Sequence, residues 1–112
     1  MLTIDKLKEL GADTVNGMIR CANDEGFYLK MVNMSLQDAN FDKLGEAIEK
    51  GDLTAAFECA HALKGVMGNV GLTNLYEPIA EMTEELRERN DIDYSPALAV
   101  ISSELAKLRA ML

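Results

Sequence analysis

Apolar residues recur three and four positions apart along nearly the whole chain, and no segment shows the strict alternation typical of a half-buried strand. The segment 72–86 illustrates the pattern, with an apolar stripe of Leu72, Leu75, Ile79, Met82 and Leu86. This spacing places the stripe on one face of a helix, and that face must be covered by other helices. The chain is therefore predicted to be all-α.

Glycines and capping residues divide the pattern into separate helices. The predicted helices are Thr3–Leu10, Thr14–Cys21, Glu25–Gln37, Phe41–Lys50, Leu53–Val70, Thr73–Arg89 and a last helix capped by Asp93 or Ser95. Expected N-caps are Asp13, Asn23 or Asp24, and Asp52, and the expected stops are Gly11, Gly51 and Gly71. Helices of this length with short connections favour an up-down antiparallel four-helix bundle, with two short N-terminal helices across it or at one end. The length favours one domain over residues 1–112.

Composition narrows the possible functions and the location. The net charge is −8, and no basic patch or stripe exists, which argues against nucleic acid as a partner. No apolar run approaches the roughly 18 residues of a membrane span, and the N-terminus lacks the apolar stretch of a signal peptide. We therefore expect a cytoplasmic monomer, and the initial Met1 with the compact length favours a free-standing domain.

The only histidine, His61, is predicted to lie on the exposed face of its helix. With a step of about 100° per residue, the apolar stripe opposite His61 consists of Cys59, Leu63, Val66 and Val70, flanked by Ala56 and Met67. The face around His61 carries Thr54, Phe57, Glu58, Lys64, Gly65 and Gly68. Each glycine costs a helix about 1 kcal/mol relative to alanine. Two of them beside an exposed imidazole suggest that space is kept open for a close approach.

Several kinds of active centre are excluded by what the chain lacks. It contains no nucleophile elbow and no phosphate-binding glycine loop. Glu58 and His61 form a Glu-x-x-His pair, but a di-iron bundle needs two such pairs facing inward. Cys59 and His61 point to opposite sides of the helix, and no further histidine completes a metal site, so Cys21 and Cys59 are expected to be reduced thiols. An all-α metal carrier is thus a weak alternative.

A solitary exposed imidazole is well suited to phosphoryl transfer. Its neutral nitrogen is a good nucleophile and an acceptable leaving group. Lys64 follows one turn along the same face and supplies a positive charge for a phosphoryl group on His61. The chain has no nucleotide pocket and no cluster of metal-binding carboxylates. These residues favour a phosphoryl relay carrier whose donor and acceptor proteins bring the metal.

The segment AHALKGVMGNVG at 60–71 resembles the His-x-x-Lys-Gly signature of histidine phosphotransfer (HPt) domains. The sequence on both sides is also similar to this family, so the resemblance covers nearly the whole chain. It implies that His61 is the phosphoacceptor, that Lys64 stabilises the phosphoryl group and that Gly65 keeps the imidazole accessible. Gly68 and Asn69 match the positions that follow, more weakly.

The resemblance also implies a set of partners. A receiver domain of a response regulator or hybrid sensor histidine kinase would donate the phosphoryl group from an aspartyl phosphate, and another receiver would accept it. Mg²⁺ is expected on the receiver, whereas this chain is expected to bind no cofactor and to lack autokinase activity. Phe57, Glu58, Gly68 and Asn69 are weaker candidates for docking contacts. Gln37 and the polar residues near Phe41 are candidates for a hydrogen bond to the second imidazole nitrogen.

Two alternatives to phosphotransfer remain open at this point. In one, His61 is an ordinary surface histidine on a helical scaffold. In the other, the chain is a helical protein-binding adaptor that keeps the docking face and has no need of His61.

Overall fold

The computed structural model describes residues 1–112 and contains seven helices and no strand. The helices are α1 (Ile4–Glu9), α2 (Thr14–Arg20), α3 (Glu25–Leu36), α4 (Asn40–Glu49), α5 (Leu53–Asn69), α6 (Thr73–Arg87) and α7 (Ser95–Arg109). The all-α prediction is confirmed, and the first six helices begin and end within two residues of their predicted bounds. None of the helices is long and apolar enough to cross a membrane.

The helix boundaries have the chemical causes that the sequence indicates. The side chains of Asp13, Asp24 and Asp52 each accept a hydrogen bond from the backbone N–H three residues later. These bonds satisfy amide groups that have no partner within the helix. The N-cap of α7 is Tyr94, so the prediction of Asp93 or Ser95 at that position is wrong. Asp93 lies one residue earlier, and its carboxylate accepts a hydrogen bond from the Ser95 N–H at 2.9 Å.

Helix α5 lies between α4 and α6, while α7 packs on α6 and α3. The buried residues of α5 are Ala56, Ala60, Leu63 and Met67. Cys59 and Val66, predicted within the buried stripe, are instead half-buried at its edge. The face is rotated because α5 contacts two neighbouring helices, and the small side chains of Ala56 and Ala60 let them come close. The whole core is one apolar cluster that extends from Leu2 to Leu108.

The N-terminal helices are fastened to the turn between α5 and α6. The buried hydroxyl of Tyr28, on α3, donates to the carbonyl oxygen of Val70 at 2.8 Å. The Tyr28 ring also lies against Gly17 of α2, where a Cβ atom would come within 2.4 Å of the ring. The Asp13 N–H donates to the carbonyl oxygen of Gly71 at 2.7 Å. These contacts place α2 beside the C-terminal end of α5.

Glycine is the only residue type that fits at position 71, where the segment before α2 meets the end of α5. Its φ is +71°, a left-handed conformation that side chains disfavour. A Cβ atom there would also lie 2.2 Å from the carbonyl oxygen of Asp13. Glycine therefore allows both the end of α5 and the close approach of the N-terminal segment.

Candidate functional site

An open groove of about 560 Å³ runs between α2 and the C-terminal half of α5, and His61 lies on its wall. The lining residues are Asp13, Asn16, Arg20, His61, Lys64, Gly65, Met67, Gly68, Asn69, Gly71, Thr73 and Tyr76. Most of these side chains are polar. The groove thus offers a polar surface that carries Lys64 and Arg20 next to the only imidazole of the chain.

His61 is exposed, as predicted, and neither of its ring nitrogens hydrogen-bonds to another residue of the chain. Gln37 does not supply such a bond, because its side-chain amide donates to Asn33 on the same helix. None of the polar residues near Phe41 forms a hydrogen bond with the imidazole, and Phe41 itself lies against Arg109 of α7. Neither of the two candidates named from the sequence therefore hydrogen-bonds to His61 in this structure.

Lys64 is held by a carboxylate of the neighbouring helix. Its ammonium nitrogen lies 3.8 Å from Oε1 of Glu84, on α6. The other oxygen of Glu84 accepts a hydrogen bond from Nε of Arg87 at 3.3 Å. The side chain of Lys64 is 29% exposed, so its stem is packed and its charge stays close to the groove. The structure thus brings Lys64 to the same face as His61, as the spacing predicts.

Phe57 is half-buried and stacks on the imidazole of His61, with ring centroids 5.5 Å apart and planes inclined by 30°. The guanidinium carbons of Arg87 and Arg89 lie 5.1 and 4.9 Å from the Phe57 centroid. Phe57 is therefore not a freely exposed aromatic ring, because two arginines partly cover it. The sequence analysis did not find these arginines, since they are about 30 residues further along the chain.

The two glycines near His61 have different surroundings. A Cβ atom at Gly65 would meet nothing within 4 Å, so Gly65 leaves open space in the groove. A Cβ atom at Gly68 would lie 3.3 Å from the ring of Tyr76, on α6. The interpretation that both glycines clear space beside the imidazole therefore holds for Gly65. At Gly68 the missing side chain instead makes room for the ring of Tyr76.

The remaining candidate residues lie at the two sides of the reactive face. Asn69 is exposed, and its Oδ1 accepts a hydrogen bond from Arg20 of α2 at 3.4 Å. Glu58 is exposed and forms no ion pair. Arg20 is a further groove residue that the sequence analysis missed, because only the folded structure places α2 beside α5.

The arrangement combines one nucleophilic ring with the cationic side chains of Lys64 and Arg20 in an open groove. Nowhere in the structure do three or more His, Cys, Asp or Glu side chains lie close enough together to hold a metal ion. An anionic group carried by another molecule could approach His61 over Gly65 and meet positive charge on both walls.

Comparison with known proteins bears on the same part of the chain. The family model described as Hpt domain matches residues 32–111. This range includes α4 to α7 and therefore His61, Lys64 and Gly65. No curated protein and no solved structure gives a match.

Proposed function

We propose that this chain, which belongs to the Hpt domain family of phosphorelay signalling, is a phosphoryl carrier whose acceptor residue is His61. The observation that carries the proposal is the exposed imidazole of His61, with two free nitrogens, next to Lys64 and the open space over Gly65. Hpt domains are phosphocarriers rather than kinases. We infer that this chain likewise has no autokinase activity.

In the proposed reaction a receiver domain presents an aspartyl phosphate to His61. A lone pair on a nitrogen of the neutral imidazole attacks phosphorus, and a P–N bond forms as the P–O bond to the aspartate breaks. The aspartate leaves as a carboxylate with the electron pair, and the phosphorylated ring keeps its proton on the other nitrogen until water takes it. The reverse sequence passes the phosphoryl group to an aspartate of a second receiver.

The chain's own residues would act by position and charge, which is most of what phosphoryl transfer requires. Lys64 would turn from Glu84 to the phosphoryl oxygens, because a group with up to two negative charges attracts the ammonium more strongly than one carboxylate. Gly65 would leave the line of approach open. We propose that Mg²⁺ comes with the receiver and that this chain binds no cofactor.

We also propose an up-down antiparallel four-helix bundle whose arms are α5, α6, α7 and the consecutive pair α3 and α4, which together count as one arm. The contacts of α4 with α5, α5 with α6, α6 with α7 and α3 with α7 support this arrangement. The single domain over 1–112, the monomeric state and the cytoplasmic location remain predictions.

The decisive experiment is transfer from phosphorylated receiver domains, with Mg²⁺ present, to the purified chain. The expected result is a label on the chain that is stable in base and lost in acid, as phosphohistidine is, and that a second receiver removes. Binding of receivers without any label would instead favour the protein-binding adaptor. Labelling of a chain with His61 replaced by glutamine would overturn the role of His61.

A further inference from the structure

Arg89 occupies a backbone position where arginine is unfavourable. Helix α6 ends at Arg87 with Glu88 as its C-cap, and Arg89 follows with a φ of +54°. The N–H groups of Arg89 and Asn90 bond back to the carbonyl oxygens of Leu86 and Glu85, at 3.0 and 3.1 Å. This is the Schellman motif, in which glycine is the usual residue at the left-handed position. Ala22 and Asn23 share this unfavourable conformation, and what distinguishes Arg89 from them is the set of contacts that its side chain makes with α5.

The side chain of Arg89 folds back towards the reactive helix. Its Nη1 donates to the carbonyl oxygen of Leu86 at 2.7 Å, and its Nε donates to Oγ1 of Thr54, on α5, at 3.3 Å. These bonds hold the guanidinium with its carbon 4.9 Å from the centroid of Phe57. A guanidinium within about 6 Å of an aromatic centroid is attracted to the ring. Arg89 therefore ties the end of α6 to Phe57 of α5.

Phe57 transmits this restraint to the imidazole. Its ring stacks on His61, and Arg87 approaches the same ring at 5.1 Å. Because no hydrogen bond within the chain fixes the His61 ring, the stack with Phe57 is the contact that can set its plane. A ring held at one orientation keeps its nitrogen aligned for in-line attack, and small misalignments slow such reactions strongly.

We propose that Arg89 is a positioning residue: by clamping Phe57, it fixes the ring plane of His61 for phosphoryl transfer. The consequence for transfer rests on the proposed function, whereas the effect on the ring plane does not. Arg89 touches neither the imidazole nor the phosphoryl group in this account, and its effect passes entirely through Phe57.

The test compares Arg89→Gly with Ala22→Gly. Ala22 has a φ of +55° after α2, so both changes relieve a left-handed residue, but only one removes the clamp. The imidazole proton signals of His61 can be assigned directly in nuclear magnetic resonance spectra because the chain has one histidine. Phe57→Leu removes the stacked ring and gives the signal positions expected without it.

We expect Arg89→Gly to move the His61 signals at least halfway from the wild-type positions to those of Phe57→Leu. Ala22→Gly should leave them in place. Transfer from a phosphorylated receiver should slow severalfold in Arg89→Gly and not in Ala22→Gly. The inference would be overturned if Arg89→Gly left the His61 signals unshifted. It would also be overturned if the wild-type chain accepted phosphate and Arg89→Gly accepted it at the same rate.

The carrier role of the chain and the effect of Arg89 on the His61 ring can fail independently of each other. If the wild-type chain accepts phosphate from no receiver, the carrier role is lost, and the imidazole signals alone then decide whether Arg89 sets the ring plane. If transfer occurs and Arg89→Gly leaves both readouts unchanged, the clamp is refuted and the carrier role stands.

Discussion

The ammonium nitrogen of Lys64 lies 3.8 Å from Oε1 of Glu84, and the same glutamate bonds to Arg87 through its other oxygen. Lys64 is therefore already paired in the unphosphorylated chain. A phosphoryl group on His61 would have to draw the ammonium away from Glu84. The level of phosphohistidine should consequently depend on both residues of the pair.

Replacing Lys64 by alanine should lower the equilibrium level of phosphohistidine by about tenfold or more, since a charge-assisted contact contributes about 1.5–3 kcal/mol. Lys64→Arg should restore part of the loss, because the planar guanidinium reaches along a different path. Glu84→Gln should act in the opposite direction to Lys64→Ala by releasing the ammonium. A phosphotransfer time course with one receiver compares the four proteins. Identical end-points would show Lys64 to be a solvated surface charge.

His61→Gln should abolish labelling and leave the fold intact. The imidazole is exposed and contributes little to the core, so the free energy of unfolding should change by no more than about 0.5 kcal/mol. Labelling and thermal unfolding, followed on the same preparation, check the two halves of this prediction. Residual acid-labile phosphate on the variant would mean that a different group is the acceptor.

Gly65→Gln should separate stability from function. Glutamine is a better helix former than glycine, so the variant should gain up to about 1 kcal/mol in unfolding free energy. Its side chain should obstruct the receiver and slow transfer. Gly45→Gln is the matched control, because Gly45 lies inside α4 and a Cβ atom there also meets nothing within 4 Å. Equal transfer rates for the two variants would contradict the role assigned to Gly65.

Stability should fall in strong base partly through Tyr28. Burial raises the pKa of Tyr28 to about 12, with smaller contributions from the charges of Cys21 and Asp13. Because the pKa is higher in the folded chain than in the unfolded one, this tyrosine stabilises the fold fully below about pH 10. Its contribution is then lost as the pH rises from about 10 to 12.

Tyr28→Phe provides the comparison. At pH 8 it should be less stable by about 1–3 kcal/mol, because the Val70 carbonyl loses the hydroxyl that donates to it. Urea unfolding of both proteins from pH 8 to 12 should show the difference shrinking above pH 10. A difference that stays constant across this range would argue against ionisation of Tyr28.

The helices were predictable because their signals are local. Asp13, Asp24 and Asp52 precede apolar stripes, and Gly51 and Gly71 follow them. Each of these residues acts within three or four positions of itself, through a cap or a left-handed turn. The exposed position of His61 with Lys64 and Gly65 on one face follows from helix geometry in the same way.

What the sequence did not predict depends on contacts between distant segments. The rotated core face of α5 reflects two neighbouring helices, and the apolar pattern alone cannot show on which side of Leu63 they pack. Phe57 is partly covered by Arg87 and Arg89, and Gly68 packs closely against the ring of Tyr76. No local rule pairs residues that only the tertiary fold brings together.

The groove beside His61 is lined by α2, by α5 and by the start of α6, and only the last two lie within the family match. Helix α5 supplies the reactive wall and lies within the matched residues 32–111, whereas Asn16 and Arg20 on α2 lie before them. Substitutions on α2 can therefore reshape the opposite wall without touching the imidazole, Lys64 or Gly65. Exchanging the segment 13–20 between members of the Hpt domain family would therefore change the surface opposite His61 while leaving the reactive helix unaltered.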